Sequence, residues 1–285
     1  MAVANNNEMK AIIYAKKLLL TSDHNGEDEM KMVDMSYEKL MKDGNALSLP
    51  KMGDVTLNNG VSIVHSSPSV TSTEVQVDQF YNFSIPISMI DQIQIKGFDL
   101  KKLWQGRADV AIDDVRAETI LGLYASAGLS VAQTALTKNN ICDWVADVAD
   151  ALYVGKAVNS AGMSVASNEF PYLMLAPGHI KLLDKAPDLK KSTDFAEQVL
   201  QNGVKKQVKL INGLRIFKST RFTTVGGVYY NMAGIPEAIA YASQIQKQRI
   251  IQDGDDWNDK LQGLIGFMCK VVNGNHIVNA PTTIA

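Results

Sequence analysis

Residues 73–87 read TEVQVDQFYNFSIPI. Val75, Val77, Tyr81, Phe83, Ile85 and Ile87 fall on one face, and Glu74, Gln76, Asp78, Asn82 and Ser84 on the other. A period of two marks a half-buried strand. Gln79 and Phe80 interrupt it. Ordinary strands last about 5–6 residues. This pattern lasts for about 13, on the order of 40 Å at roughly 3.3 Å per residue. Its inner half, Tyr81 to Ile87, is expected to sit in a domain, and its outer half, Thr73 to Asp78, to reach beyond it.

The flanking segments extend the reading. Upstream, GDVTLNNGVSIVH (53–65) carries Val55, Leu57, Val61 and Ile63 around an Asn58-Asn59-Gly60 turn or bulge signal. With the loop SSPSVTS (66–72) and the long strand it forms an extended β-hairpin, expected over 49–88. Downstream, apolar residues at 100, 103, 104, 108, 111, 112 and 115 make a helical stripe. Asp99 stands at the N-cap position and Gly128 at a plausible stop. The spacing predicts a helix over 99–126, about 40 Å long at 1.5 Å per residue.

The first fifty residues lack one steady apolar period, although MKAIIYAKKLLL reads as a short helix. They are expected to form an arm (1–48) that gains order from contacts elsewhere. Beyond residue 135, short elements alternate. DWVADVADALYVGKA reads as a helix with Trp144, Val145, Val148 and Leu152 inward, PYLMLAP as a buried strand, and GHIKLLDKAP as one or two helical turns. KKQVKLINGLRIFKST reads as strands around an Asn212-Gly213 hairpin signal. GGVYYNMAG reads as a strand and IPEAIAYASQIQ as a helix with Pro236 in its first turn. LQGLIGFMCKVV is strongly apolar, and NHIVNAPTTIA ends the chain in extended form. The class is α+β.

Composition narrows the function. The chain has 285 residues, 46% hydrophobic and 20% charged, as a folded protein has. Its net charge of −2 lacks the basic excess of a dedicated nucleic-acid binder. No window approaches the roughly 18–20 apolar residues of a membrane helix. The N-terminus, cut by Lys16 and Lys17, does not read as a signal peptide, so the protein is expected to be soluble and to stay where it is made. Cys142 and Cys269 fit neither a disulfide framework nor a zinc site, and each is expected to pack as a small apolar residue. His24, His65, His179 and His276 are read as surface or loop histidines. No phosphate-binding loop, dinucleotide fingerprint or nucleophile elbow is present. Asp253, Asp255, Asp256 and Asp259 read as a solvated acidic loop. Asp109, Asp113 and Asp114 read as a solvated or interface face of the long helix. No catalytic, cofactor or metal site is assigned, and the chain is expected not to be an enzyme.

From Tyr37 to Ile284 the order of segments resembles the major capsid proteins of tailed double-stranded DNA bacteriophages, whose fold is shared with encapsulin shells. SYEKLMKDGNALSLPKMGDVTL is similar to the passage from N-terminal arm to extended loop, and TEVQVDQFYNFSIPISMID to the returning strand of that loop. GFDLKKLWQGRADVAIDDVRAETILGLYASAG looks like the long spine helix. FPYLMLAPGHIKLLDKAPD, NGLRIFKSTRF and GVYYNMAGIPEAIAYASQIQKQRII look like the axial domain, and WNDKLQGLIGFMCKVVNGNHIVNAP like the return to the peripheral domain. The resemblance implies an arm (1–48), an extended loop (49–88), a peripheral domain with spine helix (89–137), an axial domain (138–256) and a return to the peripheral domain (257–285).

It also implies a structural subunit that self-assembles through pentamers and hexamers into an icosahedral or prolate head around DNA. Separate scaffolding and portal proteins, decoration proteins, and non-specific contact with packaged DNA are expected partners; a membrane and a cofactor are not. The implied location is the virion capsid, assembled in the host bacterial cytoplasm. Physics points the same way, because an isolated hairpin is only marginally stable. Its apolar face is worth on the order of 10 kcal/mol when buried, at roughly 1.5–3 kcal/mol per side chain, and a neighbouring subunit can supply that burial. Val55, Leu57, Val61, Ile63, Val75 and Val77 are therefore the expected subunit-interface residues. Aspartate at Val75 and Val77 is expected to block assembly yet leave subunits folded. The rivals are an encapsulin-like compartment, a β-rich tail or adhesion component without one long helix over 99–126, and an enzyme with an unrecognised site.

Overall fold

The computed structural model describes residues 28–40, 46–52, 70–88, 100–187, 196–201, 204–252 and 258–284. The chain enters through a 3-10 turn at Glu29–Met32 and a one-turn helix, α1 (Tyr37–Leu40). Strand β1 (Ala46–Met52) then pairs antiparallel with β2 (Val70–Gln76), Leu47 opposite Val75 and Pro50 opposite Ser72. Residues 46–48 pair with residues 74–76. Their local pattern is mixed, and only a partner more than twenty residues away makes them a strand. Pro50 cannot donate to a ladder, which suits a two-stranded sheet with open edges.

The long alternating stretch is two strands. β2 ends at Gln76, and β3 (Gln79–Ser88) begins after Val77 and Asp78. The division falls at Val77–Asp78, not at Gln79–Phe80, because the chain changes partner there. Gln79 already lies opposite Phe267 in another sheet. The alternation holds except at Tyr81, which is 38% exposed: Glu74, Gln76, Asp78, Asn82 and Ser84 are all exposed, whereas Val75 and Ile87 are buried and Val77, Phe83 and Ile85 half-buried.

The predicted long helix is α2 (Leu100–Gly122), followed by a 3-10 turn at Leu123–Ser126. Asp99 lies outside the described residues. The apolar stripe buries Ala108, Ala117, Ile120 and Leu121 and half-buries Leu103, Trp104, Ile112 and Val115. Two short strands, β4 (Leu129–Ser130) and β5 (Thr134–Leu136), lead to α3 (Ile141–Val154), which buries Ile141, Trp144, Val145, Val148 and Leu152. β6 (Tyr172–Leu175) is wholly buried, and α4 (Pro177–Lys185) follows it. β7 (Ala196–Gln201), β8 (Val204–Ile211) and β9 (Leu214–Lys218) form a meander. Asn212 and Gly213, at φ 49° and 76°, supply the two left-handed residues that its tight turn demands. β10 (Thr224–Val225) and β11 (Val228–Gly234) come next.

IPEAIAYASQIQ is not a helix. Pro236–Ala238 makes a single 3-10 turn, and β12 runs over Ile239–Gln252, pairing with β13 (Asn258–Val271). Ile239, Ala240, Tyr241 and Ala242 are all buried, so both faces of the strand are covered at its start and no period-two signal is left to read. Pairing across the fold overrides the helical propensity of the alanines. The last strand, β14, spans Ile277–Ile284.

Three sheets result. One is the β1–β2 hairpin. A nine-stranded sheet has the path β4-β14-β11-β6-β9-β8-β7, with β10 on β11 and β5 on β14. A three-stranded sheet has the order β12-β13-β3. By pairing, β12 goes with β13 and β3, and β14 goes with β11. One buried core joins α3, the nine-stranded sheet and the end of α2.

Candidate assembly surface

The three-stranded sheet has two unlike faces. Odd-numbered residues of β13, Leu261, Ile265 and Phe267, face α2 and are buried with help from Leu103, Trp104, Ile112 and Val115. Two glycines open β13 to aromatic neighbours. A Cβ at Gly263 would stand 2.2 Å from the ring of Phe83, its cross-strand partner. The ring therefore lies across the glycine, where any side chain would collide with it.

Even-numbered residues point the other way, and the base of the hairpin sits on them. Val75 packs with Ala240, Ala242 and Met268, bordered by Tyr37, Leu49, Val77 and Val272. Lys270 Nζ donates to the Glu74 carbonyl at 3.2 Å, tying β13 to β2. Past this covered end the same face is open: Phe80 is 56% exposed and Leu264 41%. Beside them Arg249 donates to Gln262 Oε1 through Nε (3.2 Å) and Nη2 (3.1 Å). An exposed polar and apolar strip thus continues directly from the hairpin's footing.

The expected interface residues divide. Val55, Leu57, Val61 and Ile63 lie outside the described residues. Val77 is half-buried. Val75 is 1% exposed, filled in by its own subunit. The expectation that Val75 awaits a neighbour overlooked β12 and β13, which reach it from the far end of the chain.

Sequence reading also missed a clasp. Glu29 of the arm is fully buried, with Arg221 Nη1 3.7 Å from its Oε1. The same guanidinium grips Asp114 of α2. Met32 and Val33 enter the main core beside it. Asp34 donates its N–H to the Ile239 carbonyl (2.9 Å) and accepts from the Tyr241 N–H (3.1 Å). Residues 28–34 are thereby fixed to α2, to the loop after β9 and to β12 together. No sequence signal marks this, since Glu29, Asp114 and Arg221 are distant in the chain.

The helix acids are engaged within the subunit. Asp113 pairs with Arg116 at 3.2 Å, and burial raises its pKa while Arg116 opposes the rise. Asp109 accepts from Gln248 at 3.0 Å. His179 is a core residue, not the surface histidine expected. It is fully buried against Thr282 (3.2 Å) with the Tyr229 ring edge-on, and burial lowers its pKa to about 4. His276 is half-buried; His24 and His65 lie outside the described residues. Cys142 and Cys269 are half-buried against the core. Burial pushes the Cys269 thiol up to about 12, far from the thiolate a nucleophile needs. Asp259 is buried in β13, and the other acids of that loop fall outside the described residues. Among the described residues no group of three or more His, Cys, Asp or Glu could hold a metal ion. Among them, too, no helix is long and apolar enough to cross a membrane.

No protein-family model matches the chain, and no curated protein does. Solved structures do. A chain from Mycobacterium phage Che8 superposes with a TM-score of 0.69 at 19% identity, covering 88% of this chain and 90% of that one. The capsid of cyanophage P-SCSP1u gives 0.63 at 10% identity, over 89% and 86%. The holo-SrpI encapsulin complex from Synechococcus elongatus gives 0.60 at 8%, over 83% and 81%. The chain has the fold of these shell subunits.

Proposed function

We propose that this chain, with its capsid-shell fold, is the major capsid protein of a tailed double-stranded DNA bacteriophage. It self-assembles through pentamers and hexamers into an icosahedral or prolate head. One observation carries the reading: a body shaped like known shell subunits bears a hairpin whose two strands pair only with each other among the described residues. Such a hairpin gains stability by lying on a second copy. Val55, Leu57, Val61 and Ile63 are its proposed contacts, with Val77 at the joint. Scaffolding, portal and decoration proteins are proposed partners. DNA contact is non-specific, and the product is the virion capsid, assembled in the bacterial cytoplasm. The role is structural rather than catalytic.

The encapsulin match supports a second reading, a compartment around protein cargo. Expression with neighbouring genes, then sedimentation and negative-stain microscopy, separates the possibilities. Shells competent to hold nuclease-protected DNA support the capsid. Shells with co-purifying protein and no DNA support the compartment. A compact monomer under every condition overturns both.

A further inference from the structure

Strand β12 is an edge of the three-stranded sheet. At its start the edge is taken. Asp34 lies beside Ala240 and makes backbone hydrogen bonds to Ile239 and Tyr241. Past the bulge between Ser243 and Ile245, residues 245–252 have no strand on that side among the described residues. That leaves about 26 Å of edge at roughly 3.3 Å per residue. An unpaired edge is a template for a further strand. We propose that this one receives an extended acidic segment of a different polypeptide, added as a fourth strand.

Side chains set the partner's chemistry. Lys247 lies opposite Leu264 and Arg249 opposite Gln262, so both stand on the sheet face turned from α2. Both are exposed, and neither enters an ion pair among the described residues. Arg249 is steadied by Gln262, a neutral group that leaves its charge uncancelled. The described residues of β3, β12 and β13 place no carboxylate on this face. The two cations line a groove of about 440 Å³ together with Asn82 and Ser84, room enough for carboxylates. They stand two residues apart, so acids at alternate positions of an added strand meet both. On the opposite face Ile250 is 50% exposed, which suits an aliphatic residue between those acids. Gln248, on that same face, donates to Asp109 of α2 and holds the strand in place. A phosphate polymer would use the cations but neither the open backbone nor Ile250, so an acidic polypeptide fits better. The inference does not depend on whether the chain forms shells.

Fluorescence anisotropy of a labelled synthetic peptide, TVEVEVT, tests it on the full chain. The peptide should bind roughly tenfold more tightly than TVKVKVT. Amides of residues 245–252 should exchange roughly tenfold more slowly in its presence. Lys247→Glu together with Arg249→Glu should reverse the order of the two peptides, a gain of binding that a misfolded chain cannot give. Methylating alternate backbone nitrogens of TVEVEVT should abolish binding. Equal binding by the methylated peptide would mean that the cations act without strand addition, and displacement of TVEVEVT by a short DNA duplex at equal charge would make the face a general polyanion surface. Self-association that excludes the peptide and is lost in the double variant would assign the edge to a second copy. No binding at all would leave Lys247 and Arg249 as charges that guard the edge. Each of these four results overturns the proposal.

Discussion

His179 is held neutral in the first turn of α4, between Thr282 and Tyr229. Its folded pKa is about 4, against an ordinary value of 6.5. Between those values the unfolded chain binds the proton and the folded chain does not, so stability falls as pH drops from 6.5 toward 4. Above 6.5 the group contributes no pH dependence. Urea denaturation at pH 7.5, 6 and 5 should show this decline, and His179→Gln should flatten it in that window. Val75 makes a second case. Because its own subunit encloses it, Val75→Asp buries a charge among Ala240, Ala242 and Met268. The subunit itself should lose more than about 3 kcal/mol in chemical denaturation. A Val75→Asp subunit that folds normally and only fails to assemble would restore the interface reading. The expectation of folded subunits rests on alternation, which tells which side of a strand is apolar but not whose atoms cover it.

Among the elements, the joint at Val77–Asp78 is the informative one. Across it the apolar residues change sides of the three-stranded sheet, Val75 packing with Met268, and Phe83, Ile85 and Ile87 packing toward α2, so the pattern reads through a break in pairing. The three-stranded sheet has its own test at Gly263. A Cβ there meets the Phe83 ring at 2.2 Å, so Gly263→Ala should displace that ring and cost about 1–3 kcal/mol, measured by thermal unfolding. Adding Phe83→Leu should recover part of the loss. Additive losses would show that the ring does not rest on the glycine. α2 and α3 were legible because each buries one stripe and wets the other. β12 was not, since the hairpin base covers one face of Ile239–Ala242 and the main core covers the other. β7 and the short strands β4 and β5 carried no pattern long enough to read.

On the scale of the whole molecule, the clasp joins the arm to both larger parts of the fold. Arg221→Ala leaves the Glu29 carboxylate buried without its cation, a loss on the order of 3–5 kcal/mol. Amide exchange in residues 28–34 should accelerate with it, and Glu29→Gln in the same chain should restore part of the protection. Unchanged exchange would mean that Met32, Val33 and the Asp34 backbone bonds hold the arm alone. The sequence by itself determined the α+β class, the long helix, the alternating faces of the hairpin and the shell-subunit likeness. Each rests on periodicity or on order along the chain, which neighbouring residues encode. Only the tertiary structure decided that Val75 is already covered, that β12 is a strand, that His179 is core and that Arg221 bridges Glu29 to Asp114. Those depend on which distant residues meet, and burial and pairing energies act through space, leaving no local period to read.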